Sequence, residues 1–385
     1  MSVSFSRLGE LLLAVKNVSP TEIHGNGNFT YVDISSVSRD EKCIANPQLV
    51  SANEAPSRAR QELAVSDVIV STVRPNLNTV AAVGGEHANA IASTGFCVLR
   101  PNTKVLDARY LFHWVSSDGT VAKLTSLATG ATYPAVSDKT IKSLELRLPS
   151  MEEQRRIAVI LDKVDSLRRK RQQAIRLADD LLRAVFINMF DRLPRIKTLG
   201  AYCEVLSGFA FKSDHYVPAD AGPRLLRGVN VGIGAFEWSD AVSYPEHMTT
   251  DLQRYRLREG DVILAMDRPW ISSGLKCAVI DRDQAGHLLV QRVARLRPNS
   301  PENAAFIFLS LRHPTFRAHC RVTETTIPHI SPTDLATLPV PDVSAGDMAQ
   351  FSRVAARIAA MKRSAQLGAY HLNQLLTSLQ AKLLA

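Results

Sequence analysis

Two short loops carry the side chains best suited to recognition chemistry. One reads Arg74-Pro75-Asn76-Leu77-Asn78-Thr79, the other Asp267-Arg268-Pro269-Trp270-Ile271-Ser272-Ser273-Gly274. Arginine and asparagine carry paired donors and acceptors that match the edges of guanine and adenine, and a proline stiffens the backbone presenting them. Lys212, Arg224, Arg227 and Lys276 are cations of the kind that hold phosphates without reading sequence. The candidate contact set is therefore Arg74, Asn76, Asn78, Thr79, Lys212, Arg224, Arg227, Arg268, Trp270, Ser272, Ser273 and Lys276. An ordinary exposed loop uses many of the same residues. Arg74 and Arg268 also occupy equivalent places in a repeat, so a role in holding the loop itself stays open.

Catalytic chemistry is harder to find. The chain has no G-x-x-x-x-G-K-[ST] phosphate loop, and Asn46-Pro47-Gln48-Leu49 is not the Asn/Asp-Pro-Pro-aromatic loop expected of adenine methylation. The isolated glycine pairs in Gly25-Asn26-Gly27-Asn28 and Gly232-Ile233-Gly234 fit turns. Histidines and carboxylates do not cluster at metal-ligand spacing. Cys43, Cys97, Cys203, Cys277 and Cys320 stand singly, as buried small apolar residues do. The expectation is a non-enzyme with no metal or cofactor of its own.

Bulk properties agree. A chain of 385 residues suits two domains, and 45% hydrophobic with 22% charged residues is an ordinary globular balance. The net charge of +9 favours a polyanionic partner. The short run Leu11-Leu12-Leu13-Ala14-Val15 follows acidic Glu10 and makes neither a signal peptide nor a membrane span, so a reduced cytoplasmic protein is expected.

The elements that position the loops come in duplicate. Ser66-Asp67-Val68-Ile69-Val70 with Arg74-Pro75 returns 194 residues later as Gly260-Asp261-Val262-Ile263-Leu264 with Arg268-Pro269. Leu99-Arg100-Pro101 returns as Leu296-Arg297-Pro298, Leu8-Gly9 as Leu199-Gly200, and Thr132-Tyr133-Pro134 with Ser137 as Thr326-Ile327-Pro328 with Ser331. Short β-rich runs such as Val68-Ile69-Val70, Phe96-Cys97-Val98-Leu99 and Leu289-Val290-Gln291-Arg292-Val293 alternate with turns, and a helical stretch lies near Ala108–Ser116.

Each half ends in a long proline-free helical pattern, over residues 151–190 and 345–384. Ile157, Ile160, Val164, Leu167, Leu181 and Val185 form one apolar seam; Phe351, Val354, Ile358, Met361, Leu372, Leu375 and Leu379 form the other. Rods of about 55 Å with one apolar seam are unstable alone, so an antiparallel pair holding two heads a fixed distance apart is expected. The run Arg168-Arg169-Lys170-Arg171 suits phosphates or an acidic partner, or a solvated face. By spacing, Arg171 falls on the seam, its stem packing and its guanidinium reaching outward.

The stretch from Leu148 to Phe190, beginning L-P-S-M-E-E-Q-R-R-I, resembles the central region of the DNA-specificity subunits of type I restriction-modification systems. Ser207-Gly208-Phe209-Ala210-Phe211-Lys212-Ser213 resembles the opening of a target recognition domain in that family, residues 129–141 its close, and Leu372 through Gln380 the distal helix. The second junction departs from the pattern, with Val340-Pro341-Asp342 and Ala349-Gln350 where the first has Leu148-Pro149 and Glu153-Gln154.

The resemblance implies an α+β chain: two tandem mixed α/β target recognition domains separated by two long antiparallel coiled-coil helices. The boundaries are residues 1–149 and 195–343 for the domains, 150–194 and 344–385 for the helices. It implies that each domain reads one half of a bipartite site in double-stranded DNA, while the helices set the spacer and dock two methyltransferase subunits. Restriction subunits join through the complex, and S-adenosylmethionine, magnesium and ATP belong to those partners. The alternatives are an orphan or regulatory specificity subunit without a restriction partner, a fused recognition and methylation enzyme, and a scaffold without DNA.

Overall fold

A computed structural model describes residues 4–320 and 329–384. The repeat segment Thr326-Ile327-Pro328 lies outside the described residues. The chain divides into two compact units, Met1–Ile175 with Ser364–Ala385, and Arg176–Arg363. The division cuts two 40-residue helices, Met151–Phe190 and Ala345–Leu384, so each unit owns a part of both. Each helix starts on a serine after a proline-containing stretch. Ser150 Oγ accepts the Glu153 N–H at 3.3 Å, and Ser344 Oγ accepts that of Asp347 at 3.1 Å. Among the described residues no helix is long and apolar enough to cross a membrane.

In the first unit the strand Val68–Ser71 is buried at every position and is flanked antiparallel by Phe96–Pro101 and Val80–Ala82. A second sheet pairs Asn28–Val32 in parallel with Ile91–Ser93, with Tyr31 opposite Ile91. In the second unit Val262–Ala265 is flanked by Val293–Pro298 and Cys277–Val279, and Leu225 pairs in parallel with Leu288. The two frameworks are the same construction. Buried β-branched and leucine runs occupy both centres because both faces of these strands are covered.

A buried ion pair fixes each framework. Arg100 donates from Nε and Nη2 to the two Asp67 carboxylate oxygens at 2.9 and 2.8 Å, and Ala64 N–H adds a third bond at 2.8 Å. Arg297 does the same to Asp261 at 2.8 and 2.8 Å, with Arg258 N–H at 2.7 Å. Leu8 N–H reaches Leu144 O at 2.8 Å and Leu199 N–H reaches Leu338 O at 2.9 Å. Gly9 and Gly200 follow those leucines, where an added Cβ would sit 3.2 and 3.1 Å from the Lys142 and Ala336 carbonyl oxygens. Ser137 and Ser331 cap the equivalent helices, accepting from Thr140 and Asp334.

The helices pack on their own unit. In the first, Ile157, Ala158 and Leu161 join a core with Leu384, Leu379 and Leu376. In the second, Phe186 and Phe190 meet Met348, Phe351 and Ala355, and the Phe190 and Phe351 ring centroids are 5.1 Å apart. Early residues of one helix thus lie with late residues of the other, which makes the pair antiparallel. Four seam positions turn outward instead: Leu167, Leu181, Met361 and Leu375 are 45%, 50%, 66% and 45% exposed. The inner stripe runs through Ile157, Leu161, Val164, Ala178, Phe186 and Phe190, and through Phe351, Ala355, Ile358, Ala365 and Ala369. A straight helix drifts about 20° per heptad from a 3.5-residue repeat, so a seam extrapolated from Ile157 leaves the inner face. Ile160, Val185, Val354, Leu372 and Leu379 are half-buried. Asp165, 4% exposed, takes Arg168 and Arg169 as partners at 2.8 and 3.3 Å, and Arg171 lies across Gly368.

The glutamine of the Pro-x-x-x-x-Gln pattern is part of the framework. Gln154, 1% exposed, accepts the Asp107 N–H at 2.8 Å and donates to the carbonyls of Val105 and Pro149 at 3.0 and 2.9 Å. In the second unit Gln350 is exposed, and buried Met348 holds the equivalent place.

Candidate nucleic-acid interface

The first loop follows the Val68–Ser71 strand. Arg74 has a left-handed backbone, φ +50°, then Pro75 is buried and starts a short 3-10 turn. Its N–H donates to Pro134 O at 2.7 Å, and its guanidinium sits 4.7 Å over the ring of exposed Tyr133. Arg74 and Asn76 face solvent. Asn78 and Thr79 turn inward instead. The Asn78 side-chain amide donates to Ser116 O at 2.8 Å and the Asn78 backbone carbonyl accepts the Lys42 ammonium, while Thr79 is 3% exposed. Burial, with the Arg168 charge nearby, pushes Lys42 down to about 8.

The second loop repeats the geometry and changes the cargo. Arg268 is also left-handed, φ +44°, and Pro269 is also buried. The chain then forms a hairpin in which Trp270 pairs with Leu275 and Ile271 with Gly274, leaving Ser272 and Ser273 exposed at its tip. Trp270 is half-buried, its ring centroid 5.6 Å from that of Phe316, so it anchors the hairpin. The shared left-handed Arg-Pro step gives both arginines a loop-holding backbone with a side chain still outside.

The four phosphate candidates divide. Lys212 is exposed. Arg224 lies 5.6 Å over the Trp238 ring, the Arg227 guanidinium donates to Asp240 O, and the Lys276 ammonium donates to Gly228 O. Burial lowers the Lys276 ammonium from its ordinary value. These last three tie down their own unit, and partners so distant in sequence leave no local signal.

Sequence reading missed Gln291 and Arg292. The run 289–293 reads as one strand, but the structure breaks it: Leu288–Leu289 ends, Arg292 turns left-handed at φ +63°, and Val293–Pro298 begins. Gln291 N–H donates to Phe209 O at 2.8 Å, and both side chains at 291 and 292 are exposed. Gly208 permits this approach, since a Cβ there would lie 2.2 Å from Val290 O. The motif Ser207 to Ser213 thus docks against the turn that lifts Arg292. Alternating apolar and polar residues concealed the kink.

In each unit a carboxylate on, or just past the end of, the first long helix takes a histidine and an arginine. His113 Nε2 lies 2.8 Å from Asp162 Oδ1 and Arg109 pairs with the same group. His313 and Arg195 meet Asp191 at 3.1 and 3.0 Å. Burial raises the Asp162 carboxyl, but its hydrogen bonds from His113 and Arg109 outweigh this and hold it well below the usual range. For His313, burial and Arg195 lower the ring below its ordinary value.

Residues 3–177 match the family described as the type I restriction modification DNA specificity domain. That stretch, a little under half of the chain, is what resembles the family. It is 40% identical over 99 residues to the type I restriction enzyme EcoAI specificity subunit of Escherichia coli, covering 26% of this chain and 16% of that one. It is 25% identical over 246 residues to the MjaVIII specificity subunit of Methanocaldococcus jannaschii, covering 59% and 57%. The chain therefore spans less than two thirds of these curated relatives. A chain from a solved type I restriction-modification system superposes with a TM-score of 0.54 at 25% identity, covering 99% of this chain and 97% of that one. The type I S subunit of M. genitalium shares the fold, with a TM-score of 0.57 at 14% identity and coverage of 100% and 96%.

Proposed function

We propose that this chain is the DNA-reading subunit of a type I restriction-modification complex, with each unit contacting one half of a bipartite target. The observation that carries the reading is one repeated framework bearing two unlike sets of exposed side chains. The carboxylate clamp, the Arg-Pro step and the parallel strand pair recur, while one loop exposes Asn76 and the other exposes Ile271, Ser272 and Ser273. Two different half-sites require constant presentation with variable edges. The net charge of +9 supports a polyanionic partner.

In this reading the two 40-residue helices set the unread spacer and dock two methyltransferase subunits, with restriction subunits joining through the complex. The chain itself performs no chemistry; S-adenosylmethionine, magnesium and ATP serve its partners, and the assembly works in the cytoplasm. The test is methylation mapping across the genome of cells carrying the complete system, before and after exchanging residues 195–343 for those of another specificity subunit. A two-part motif with one half replaced is expected. A contiguous motif, or both halves changing, would overturn the reading, as would methyl transfer by the purified chain alone.

A further inference from the structure

At three equivalent positions the units differ in concert. The first has Val73, Gly95 and Ala135; the second has Asp267, Arg292 and His329. The backbone establishes the equivalence. Thr72 and Met266 donate to the carbonyls of Gly95 and Arg292, each at 2.9 Å, and the bridge between Val73 and Ala135 returns between Asp267 and His329. One construction is thus completed once with small and apolar residues and once with a polar triad. Arg292 Nη1 lies 3.1 Å from Asp267 Oδ2, and His329 Nδ1 lies 2.5 Å from Asp267 Oδ1.

The backbone opposes this choice. At φ +63° Arg292 sits where glycine or asparagine is at ease and a long side chain is not. The first unit meets the same carbonyl requirement with Gly95. Gly95 does so without a left-handed backbone, so the strained turn and the long side chain it lifts outward belong to the second unit alone. The side chain is 72% exposed, and among the described residues its Nε and Nη2 have no partner.

Resting on the reading of this unit as a DNA reader, we infer that Arg292 is a specificity-determining residue that takes the O6 and N7 edge of a guanine, with Asp267 as its positioning residue. The carboxylate decides between base and phosphate. A phosphate would be repelled by an acid bound to the same guanidinium, whereas a neutral base edge needs an oriented fork more than net charge. Asp267 engages one nitrogen and fixes the plane; His329 in turn holds Asp267.

The test uses the full chain in selection from a randomised duplex library, comparing the parent with R292Q, R292K and R292G. The parent is expected to enrich a guanine at one position of one half-site. R292Q and R292K should lose that preference by about 10- to 100-fold, leaving the other half-site unchanged. R292G should unfold at the parental temperature or above, because glycine suits this φ. An unchanged selected motif would overturn the inference. So would a uniform loss across all sequences with a shallower salt dependence, which marks a phosphate contact, or an R292G variant that unfolds several degrees early. Failure of the parent to bind duplex in a salt-sensitive way would instead remove the underlying DNA reading.

Discussion

Removing one carboxylate from the clamp should unfold one unit and spare the other. Asp67 is 0% exposed and accepts three hydrogen bonds, two of them from the Arg100 guanidinium. Asp67→Ala leaves that guanidinium and the Ala64 N–H facing apolar surroundings. Removing one member of a buried pair costs about 3–5 kcal/mol. The Arg100 side chain retains 25% exposure, so part of its charge can still be hydrated and the lower end, about 3 kcal/mol, applies. Two units in one chain do not share one transition, so a single melting temperature is the wrong readout. Amide hydrogen exchange resolved by peptide is the right one. Protection across the strands Val68–Ser71 and Phe96–Pro101 should fall about 100-fold, while Val262–Ala265 keeps its protection. Asp261→Ala should give the mirror result. Equal loss in both units, or unchanged protection around Asp67, would refute the claim that these ion pairs hold the two frameworks separately.

Three further outcomes follow from single residues. Because the Asp162 carboxyl is held below its unfolded value, the stability it contributes is fully present above about pH 4 and is lost as pH falls through the lowered value; Asp162→Asn should flatten that acid limb in denaturant titrations of the first unit. Gly208→Ala forces a Cβ to within 2.2 Å of Val290 O and should disrupt the turn carrying Arg292, seen as faster exchange at residues 289–293. Gly346→Ala, whose Cβ meets nothing nearer than 3.9 Å, should stabilise the start of its helix by up to about 1 kcal/mol in the same measurement.

The long helices were legible in the sequence because their signal is periodic and local: the expected spans 151–190 and 345–384 are those of Met151–Phe190 and Ala345–Leu384. Their facing was less so, since a stripe projected over ten turns accumulates the gap between 3.5 and 3.6 residues per turn. The loops were located by the 194-residue repeat, but the fate of their side chains was not. Asn78, Arg227 and Lys276 are occupied by carbonyls of Ser116, Asp240 and Gly228, contacts that only tertiary structure brings together. Arg292 stayed hidden for the converse reason: its kink is imposed by pairing with Phe209, more than 80 positions earlier in the chain.

Duplication gives each half an internal control, and the differences between halves fall into two kinds. In the first kind a backbone demand has been redistributed. Gln154 satisfies the Asp107 N–H in the first unit; in the second, the Asn303 N–H turns to Ser300 O at 2.9 Å and buried Met348 fills the space with apolar atoms. Each solution leaves the helix start intact, so the glutamine of the family pattern answers a local hydrogen-bonding requirement. In the second kind the backbone itself has changed. Gly95 and Arg292 give the same carbonyl to the same partner position, but only Arg292 does so from a left-handed backbone, and it adds an exposed fork. Divergence that compensates itself marks drift within the framework, whereas divergence that costs stability without compensation marks selection for contact with something outside the chain. By that criterion the triad of Asp267, Arg292 and His329 is the part of the second unit to test for an outside contact.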